Sequence, residues 1–214
     1  MKNKLILLTL AIGFANIAMV GCNANKVESL PENQVEINID ENKKDINISK
    51  FIPNGKYNVV FKGSDMANEL ISIKGDGTTY QTIGLNGNGY YYEVFKVVNN
   101  QLLFVDSEDL TDIDNVSDKN IKTNEDLENY EVVLKSKTDK KDTFQVSEIG
   151  TNLKLDNIEL KGGYIKTTKN ISTSDSKTIL ETYYSEGLGV VKYEVIMDGT
   201  VMEYSELISY EEIK

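Results

Sequence analysis

Two-residue turn signals recur between short alternating runs from about residue 70 onward, and they restrict this chain more than any other feature. Asp76-Gly77 stands between ELISIK and TTYQTI. A type I′ turn there needs positive φ at both centres and pairs Ile73 with Tyr80 and Ile71 with Thr82. Asn86-Gly87-Asn88-Gly89 holds two overlapping signals, so the turn is fixed while its register stays open by one step of two residues. Asn99-Asn100 sets Phe95 against Phe104 and Val97 against Leu102. Residues 70–105 therefore read as a four-stranded antiparallel meander.

Further strand-like runs occupy 130–134, 143–149, 152–160 and 164–168. Asp198-Gly199 is a second clean turn, which pairs Val195 with Met202, Tyr193 with Tyr204 and Val191 with Glu206. The opposite face then sets Glu194 across from Glu203 and Lys192 in register with Ser205. Like charges facing each other are tolerable only in water, so the face of Tyr193, Val195, Met202 and Tyr204 is expected to be buried. The fold class that follows is mainly β, a single strongly curved antiparallel sheet forming a half-barrel or open barrel, with little helix outside the leader.

The leader is the run from Leu5 to Val20, preceded by Lys2 and Lys4 and followed by Gly21-Cys22. At 16 residues with Asn16 inside, it is short of the roughly 20 apolar residues a spanning helix needs. Val20-Gly21-Cys22 resembles the lipobox of bacterial lipoproteins, in which the cysteine becomes the lipidated first residue. Three segments are expected: residues 1–21 as signal peptide, 22–50 as lipidated Cys22 and polar tether, and 51–214 as the β domain. The alternation of Val35-Glu36-Ile37-Asn38-Ile39 leaves room for an edge strand late in the tether.

All 23 basic residues are lysine, and two of them lie in the leader. The remaining 21 face 34 acidic residues, a net charge of −13 after cleavage. Without arginine, and with that charge, nucleic acid is a poor partner. The chain has no His, no Trp and one Cys, so Ser-His-Asp, Cys-His and His-based zinc sites are excluded. Nothing in the sequence calls for a cofactor. Acidic residues crowd 106–129, where a solvated loop is the plain reading and calcium the functional one. DSEDLTDIDNVSD lacks the glycine and the terminal glutamate of an EF-hand loop.

Tyr183-Tyr184-Ser185-Glu186-Gly187-Leu188-Gly189-Val190-Val191-Lys192 resembles the Tyr-Ala-Pro-Gly-Val-Gly-Leu-Val-Lys signature near the C-terminus of uncharacterised Gram-positive, clostridial-type lipoproteins. Phe51-Ile52-Pro53-Asn54-Gly55-Lys56-Tyr57 is similar to the opening of the same domain. The resemblance implies an architecture like the half-barrels of lipoprotein carriers, and no activity. From the residues themselves, Gly187 and Gly189 read as a corner entering the last hairpin.

Three functions remain in view. The first is a non-enzymatic binding or interaction module, held on the outer face of the cell membrane by lipidated Cys22 and meeting an envelope protein. The second is a carrier or sensor of an amphiphilic ligand on the concave face, to which Tyr90, Tyr91 and Tyr92 could contribute rings and hydroxyls. The third, a carboxylate-pair glycosidase acting on wall polymers, has no pair of acids that stands out.

Overall fold

The computed structural model describes residues 46–64, 68–86, 89–110, 130–139, 142–172 and 176–214. The leader, Cys22, the Val35–Ile39 run and residues 111–129 of the acidic segment, with its calcium reading, lie outside the described residues. Eleven strands follow a short 3-10 turn at Ile48–Phe51: β1 (Asn54–Gly63), β2 (Asn68–Asp76), β3 (Thr79–Asn86), β4 (Gly89–Val98), β5 (Gln101–Leu110), β6 (Glu131–Lys135), β7 (Gln145–Lys154), β8 (Glu159–Asn170), β9 (Thr178–Ser185), β10 (Gly189–Met197) and β11 (Thr200–Ile213). They form one antiparallel sheet, ordered β6-β5-β4-β3-β2-β1-β11-β10-β9-β8-β7, nearly closed as a barrel with one open seam.

Turn chemistry governs much of the register. Asn99 and Asn100 sit at φ 51° and 59°, and Phe95 faces Phe104 while Val97 faces Leu102, as expected. At the first hairpin the turn is centred one residue later than the sequence indicates, for Ile73 faces Thr82 and Gly75 faces Tyr80. Asp76 is the cause. Its Oδ1 accepts from Thr78 N, Thr78 Oγ1 and Thr79 N at 2.7 to 2.8 Å, an Asx turn that leaves Gly77 to take the positive φ of 81°. Ile73 and Tyr80 still share a face, because the pairing slips by two residues and not by one. Asn86 faces Gly89, midway between the two registers that the overlapping Asn-Gly signals offered.

At the last hairpin, Asp198 and Gly199 take φ 49° and 83°, and Met197 faces Thr200. A bulge beyond Ile196 then overturns the pairs expected further from the turn. Val195 faces Glu203, Glu194 faces Tyr204, Tyr193 faces Ser205 and Lys192 faces Glu206. Met202, expected inside, is 58% exposed. Without the bulge, Glu194 and Glu203 would oppose each other. With it, Lys192 Nζ lies 2.9 Å from Glu206 Oε2, and the Tyr193 hydroxyl donates to Glu203 Oε1 at 2.9 Å.

Glycines that look like breaks lie inside strands. The expected runs at 143–149, 152–160 and 164–168 are in fact β7 and β8, which carry Gly150, Gly162 and Gly163 without interruption. Gly150 faces Tyr164, and a Cβ there would lie 2.5 Å from the Tyr164 ring. Gly84 likewise faces Tyr91, whose hydroxyl would be 2.4 Å from an added Cβ. A tyrosine lying over a glycine keeps the bare backbone from water and lets the sheet curl there. The acidic run also begins as strand: β5 continues to Leu110, and the Tyr92 hydroxyl donates to Asp106 Oδ2 at 3.0 Å and Glu108 Oε2 at 3.3 Å.

The described fold starts before Phe51. Ile48, Phe51, Ile52 and Pro53 are buried and plug one end of the barrel, where three turns meet them. Ile48 N donates to Asn100 Oδ1 at 2.8 Å and Asn100 Nδ2 to Ile46 O at 2.8 Å. Gly187 N donates to Lys50 O at 2.7 Å, and Gly77 N to Pro53 O at 3.2 Å. Gly75 makes room for this plug, because a Cβ there would meet the Pro53 carbonyl oxygen at 2.0 Å.

Two outcomes are expected. Gly75→Ala forces backbone against backbone, so urea unfolding should show a loss of at least about 2 kcal/mol. Asn100→Gly keeps the left-handed turn and removes the two latching bonds. It should cost about 1 to 2 kcal/mol and accelerate amide exchange at Ile48, with little change in the strands that flank the turn.

Candidate functional site

Register defines the inner wall. Tyr57 faces Ile73, Val59 faces Ile71 and Phe61 faces Glu69 between β1 and β2. Across β3 and β4, Tyr80 faces Phe95, Thr82 faces Glu93 and Gly84 faces Tyr91. The inward side chains from these four strands leave a void of about 40 Å³ between them. That is space for about three waters, against about 150 Å³ for a cavity that admits benzene. Its walls are Phe61, Ile71, Ile73, Phe95, Leu188 and Val190, and its polar members are Tyr80, Thr82, Tyr91 and Glu93. It is partly open to solvent.

Hydroxyl-to-carboxylate bonds line the interior. Tyr91 crosses bare Gly84 on β3, and its hydroxyl donates to Glu69 Oε1 on β2 at 2.7 Å. Burial pushes the Glu69 carboxyl above the usual range, and the Tyr91 hydrogen bond opposes that rise. Burial, with the Glu69 charge second, pushes the Tyr91 hydroxyl far above its ordinary value. Thr82 Oγ1 donates to Glu93 Oε2 at 3.4 Å, and Glu93 is only 4% exposed. The Tyr80 ring stacks on Phe95 at 4.7 Å, yet its buried hydroxyl has no hydrogen-bond partner among the described residues.

A second charged cluster lies on the outer face. Lys62, Glu206, Lys192 and Tyr183 are direct neighbours across β1, β11, β10 and β9. Lys192 Nζ reaches Glu206 at 2.9 Å and Glu194 at 3.3 Å, and Lys166 Nζ reaches Glu181 at 2.8 Å. Both ammonium groups also lie over the Tyr183 ring, 5.3 and 5.7 Å from its centre. Burial works to lower the Lys192 pKa, but Glu206 and Glu194 outweigh it and hold the group above its ordinary value. The β7–β8 turn folds over this face, where Asp156 N donates to Glu206 Oε1 at 2.6 Å. Lys192 and Lys166 are thus satisfied by the carboxylates around them.

The residues singled out from the sequence fall as follows. Of the three consecutive tyrosines, Tyr91 faces the cavity, while Tyr92 packs with Val94 in a small cluster that also takes in Tyr90, Ile83 and Val105. Gly187 and Gly189, at φ 77° and 79°, form the β9–β10 corner and hold the plug through Lys50. No group of three metal-ligating side chains occurs among the described residues. Buried Glu93 and the lone hydroxyl of Tyr80 were not foreseen. Each sits on a strand beside apolar neighbours, and no local sequence signal marks either.

One consequence is measurable. Because the folded-state pKa of Glu69 is raised, its stabilising contribution is present while the carboxyl stays protonated, below its ordinary range, and is lost as pH rises through the folded value. Glu69→Gln, which still accepts from Tyr91, should raise the urea midpoint at neutral pH, with the gain disappearing below about pH 4.

No protein-family model matches the chain, and no curated protein is similar to it in sequence. Among solved structures, a candidate lipoprotein from Parabacteroides distasonis is similar over 75% of this chain and 98% of its own, at 10% identity and a TM-score of 0.39. A candidate exported protein with a YmcC-like fold from Bacteroides fragilis is similar over 76% of this chain and 99% of its own, at 10% identity and a TM-score of 0.43.

Proposed function

We propose that this chain is an extracytoplasmic lipoprotein that acts as a non-enzymatic interaction module of the cell envelope. Residues 1–21 direct export, Cys22 carries the lipid, and the polar stretch after it lets the barrel stand off the outer face of the membrane. Random-coil scaling gives that stretch a mean reach of roughly 30 Å. A net charge of −13 works against contact with an anionic surface, so the acyl chains hold the domain where its own charge would not.

The observation that carries the interaction reading is the filled interior. A carrier of an amphiphile needs an apolar cleft deep enough for an acyl chain, and about 40 Å³ is far too little. With the inside occupied, the surface left for a large partner is the outside of the barrel and its loops. Val201 and Met202, at 47% and 58% exposure beside the β10–β11 turn, are apolar groups such a partner would cover.

Mass spectrometry of protein extracted from membranes is expected to find a diacylated Cys22 as the first residue. An intact Met1 would end the lipoprotein reading. Crosslinking in the intact envelope should yield a stoichiometric protein partner, lost when Met202 is replaced by Asp. A lipid co-purifying one to one in native mass spectrometry would instead make the chain a carrier.

A further inference from the structure

We propose that the open end of β11, residues 209–213, receives an extended segment of a partner protein as an added strand, and that this segment carries two consecutive lysines between apolar residues. The inference rests on the interaction reading and gives the partner its chemistry. Its surface lies apart from Val201 and Met202, at the plugged end of the barrel.

The open ladder is the first observation. β11 pairs with β10 only as far as Lys192 against Glu206, whereas its pairing with β1 runs on to Lys56 against Ile213. Residues 209–213 therefore have a strand on one side only, and no other backbone hydrogen bond reaches them among the described residues. All five are exposed. Alternate residues of an antiparallel ladder turn their N–H and C=O groups away from the partner, so every second residue here offers both to a new strand.

The two outer edges of the sheet are defended by contrast. β7 carries two bulges, and Thr138 takes its Val146 N–H. β6 is tied across the seam to β8 and β9 through Glu131 and Val133. Bulges and covering contacts both discourage a further strand, and residues 209–213 have neither.

Charge selects the occupant. Glu211 and Glu212 form no ion pair among the described residues. If residues 210–213 of two copies lay fully against each other in antiparallel order, Glu211 would face Glu212, and like charges directly opposite repel. The acidic excess of the whole chain adds to that repulsion, so a second copy is the wrong occupant. A lysine opposite each glutamate is the right one. Neighbouring residues of a strand point to opposite faces, so Tyr210 shares a face with Glu212, and Glu211 with Ile213. Tyr210 and Ile213 are 46% and 41% exposed. The complementary segment reads apolar-Lys-Lys-apolar, which sets an apolar side chain against each of these two and a lysine against each glutamate.

The peptide acetyl-Thr-Val-Lys-Lys-Val-Thr-amide, titrated into the full-length protein and followed through backbone amide resonances, tests the assignment. Saturable shifts are expected at residues 209–213, with none around Val201 and Met202. A peptide with glutamates in place of the lysines should bind about tenfold more weakly or worse, and so should one with alternate backbone nitrogens methylated. Replacing both acids, Glu211→Lys with Glu212→Lys, should reverse the preference, so that the glutamate peptide binds the better of the two. Both positions are exposed, and the variant is expected to keep the native urea midpoint. Equal binding of the methylated peptide, shifts centred elsewhere, an unchanged preference after charge reversal, or no saturable shift would overturn the proposal. So would a native dimer that protects residues 209–213 from amide exchange, which would make a second copy the occupant. The Met202→Asp crosslink judges the interaction reading separately: if it behaves as expected while the peptide fails, the added strand is lost and the module stands.

Discussion

An antiparallel sheet with an odd number of strands has edges that run the same way, and the closure of this barrel is arranged around that constraint. β6 and β7 end the order of eleven and point in the same direction, so they cannot continue the antiparallel ladder across the seam. Side chains link the two sides in its place. Lys169 on β8 meets Glu131 on β6 at 3.0 Å, and the Tyr184 hydroxyl on β9 donates to the Val133 carbonyl on β6 at 3.1 Å. The loop after β6 adds Thr138 Oγ1, which accepts from Val146 N on β7 at 3.0 Å. These contacts hold the seam without a twelfth strand and cover part of an edge that would otherwise invite pairing with another chain.

Closure by side chains requires strong curvature elsewhere, and the glycine positions supply it. Gly84 and Gly150 lie beneath Tyr91 and Tyr164, and Gly75 lies against the Pro53 carbonyl of the plug. At each, the missing Cβ leaves room for the group that lies against the backbone. The plug then does for one end of the barrel what the seam contacts do for its side. It accepts bonds from the β2–β3, β4–β5 and β9–β10 regions, which lie far apart in sequence and share only that end.

How much of this was legible follows from the range of the interactions involved. Asn99-Asn100 is a local signal with no competitor nearby, and its register was read correctly to the residue. Asp76 was legible as a turn residue, but its side chain bonds forward to Thr78 and Thr79 and moves the centre by one. The Asp198-Gly199 turn was read correctly, while the bulge beyond it was not, because it answers a repulsion between Glu194 and Glu203 that only the unbulged ladder creates. Gly150 looked like a break since the tyrosine that covers it comes fourteen positions later. The plug was read as the end of a tether, since Ile46 and Ile48 gain their meaning only from Asn100, more than fifty residues away. Of the candidate site, Tyr91 was singled out as one of three tyrosines, and pairing alone selected it. Glu93 looks like any acidic residue in a strand until β3 lies beside it.

The same topology sorts the turns and the exposed apolar groups between the two ends of the barrel. Consecutive hairpins of an antiparallel sheet turn at alternate ends, so the β2–β3, β4–β5 and β9–β10 turns share one end with the plug, while the β8–β9 and β10–β11 turns lie at the other. The chain enters the described fold at the plugged end, through Ile46. That end is closed by Ile48, Phe51 and Ile52. The far end carries Val201, Met202 and Ile171, all substantially exposed. The barrel is shut by its own side chains at the plugged end, where Tyr210 and Ile213 near the end of β11 are also exposed.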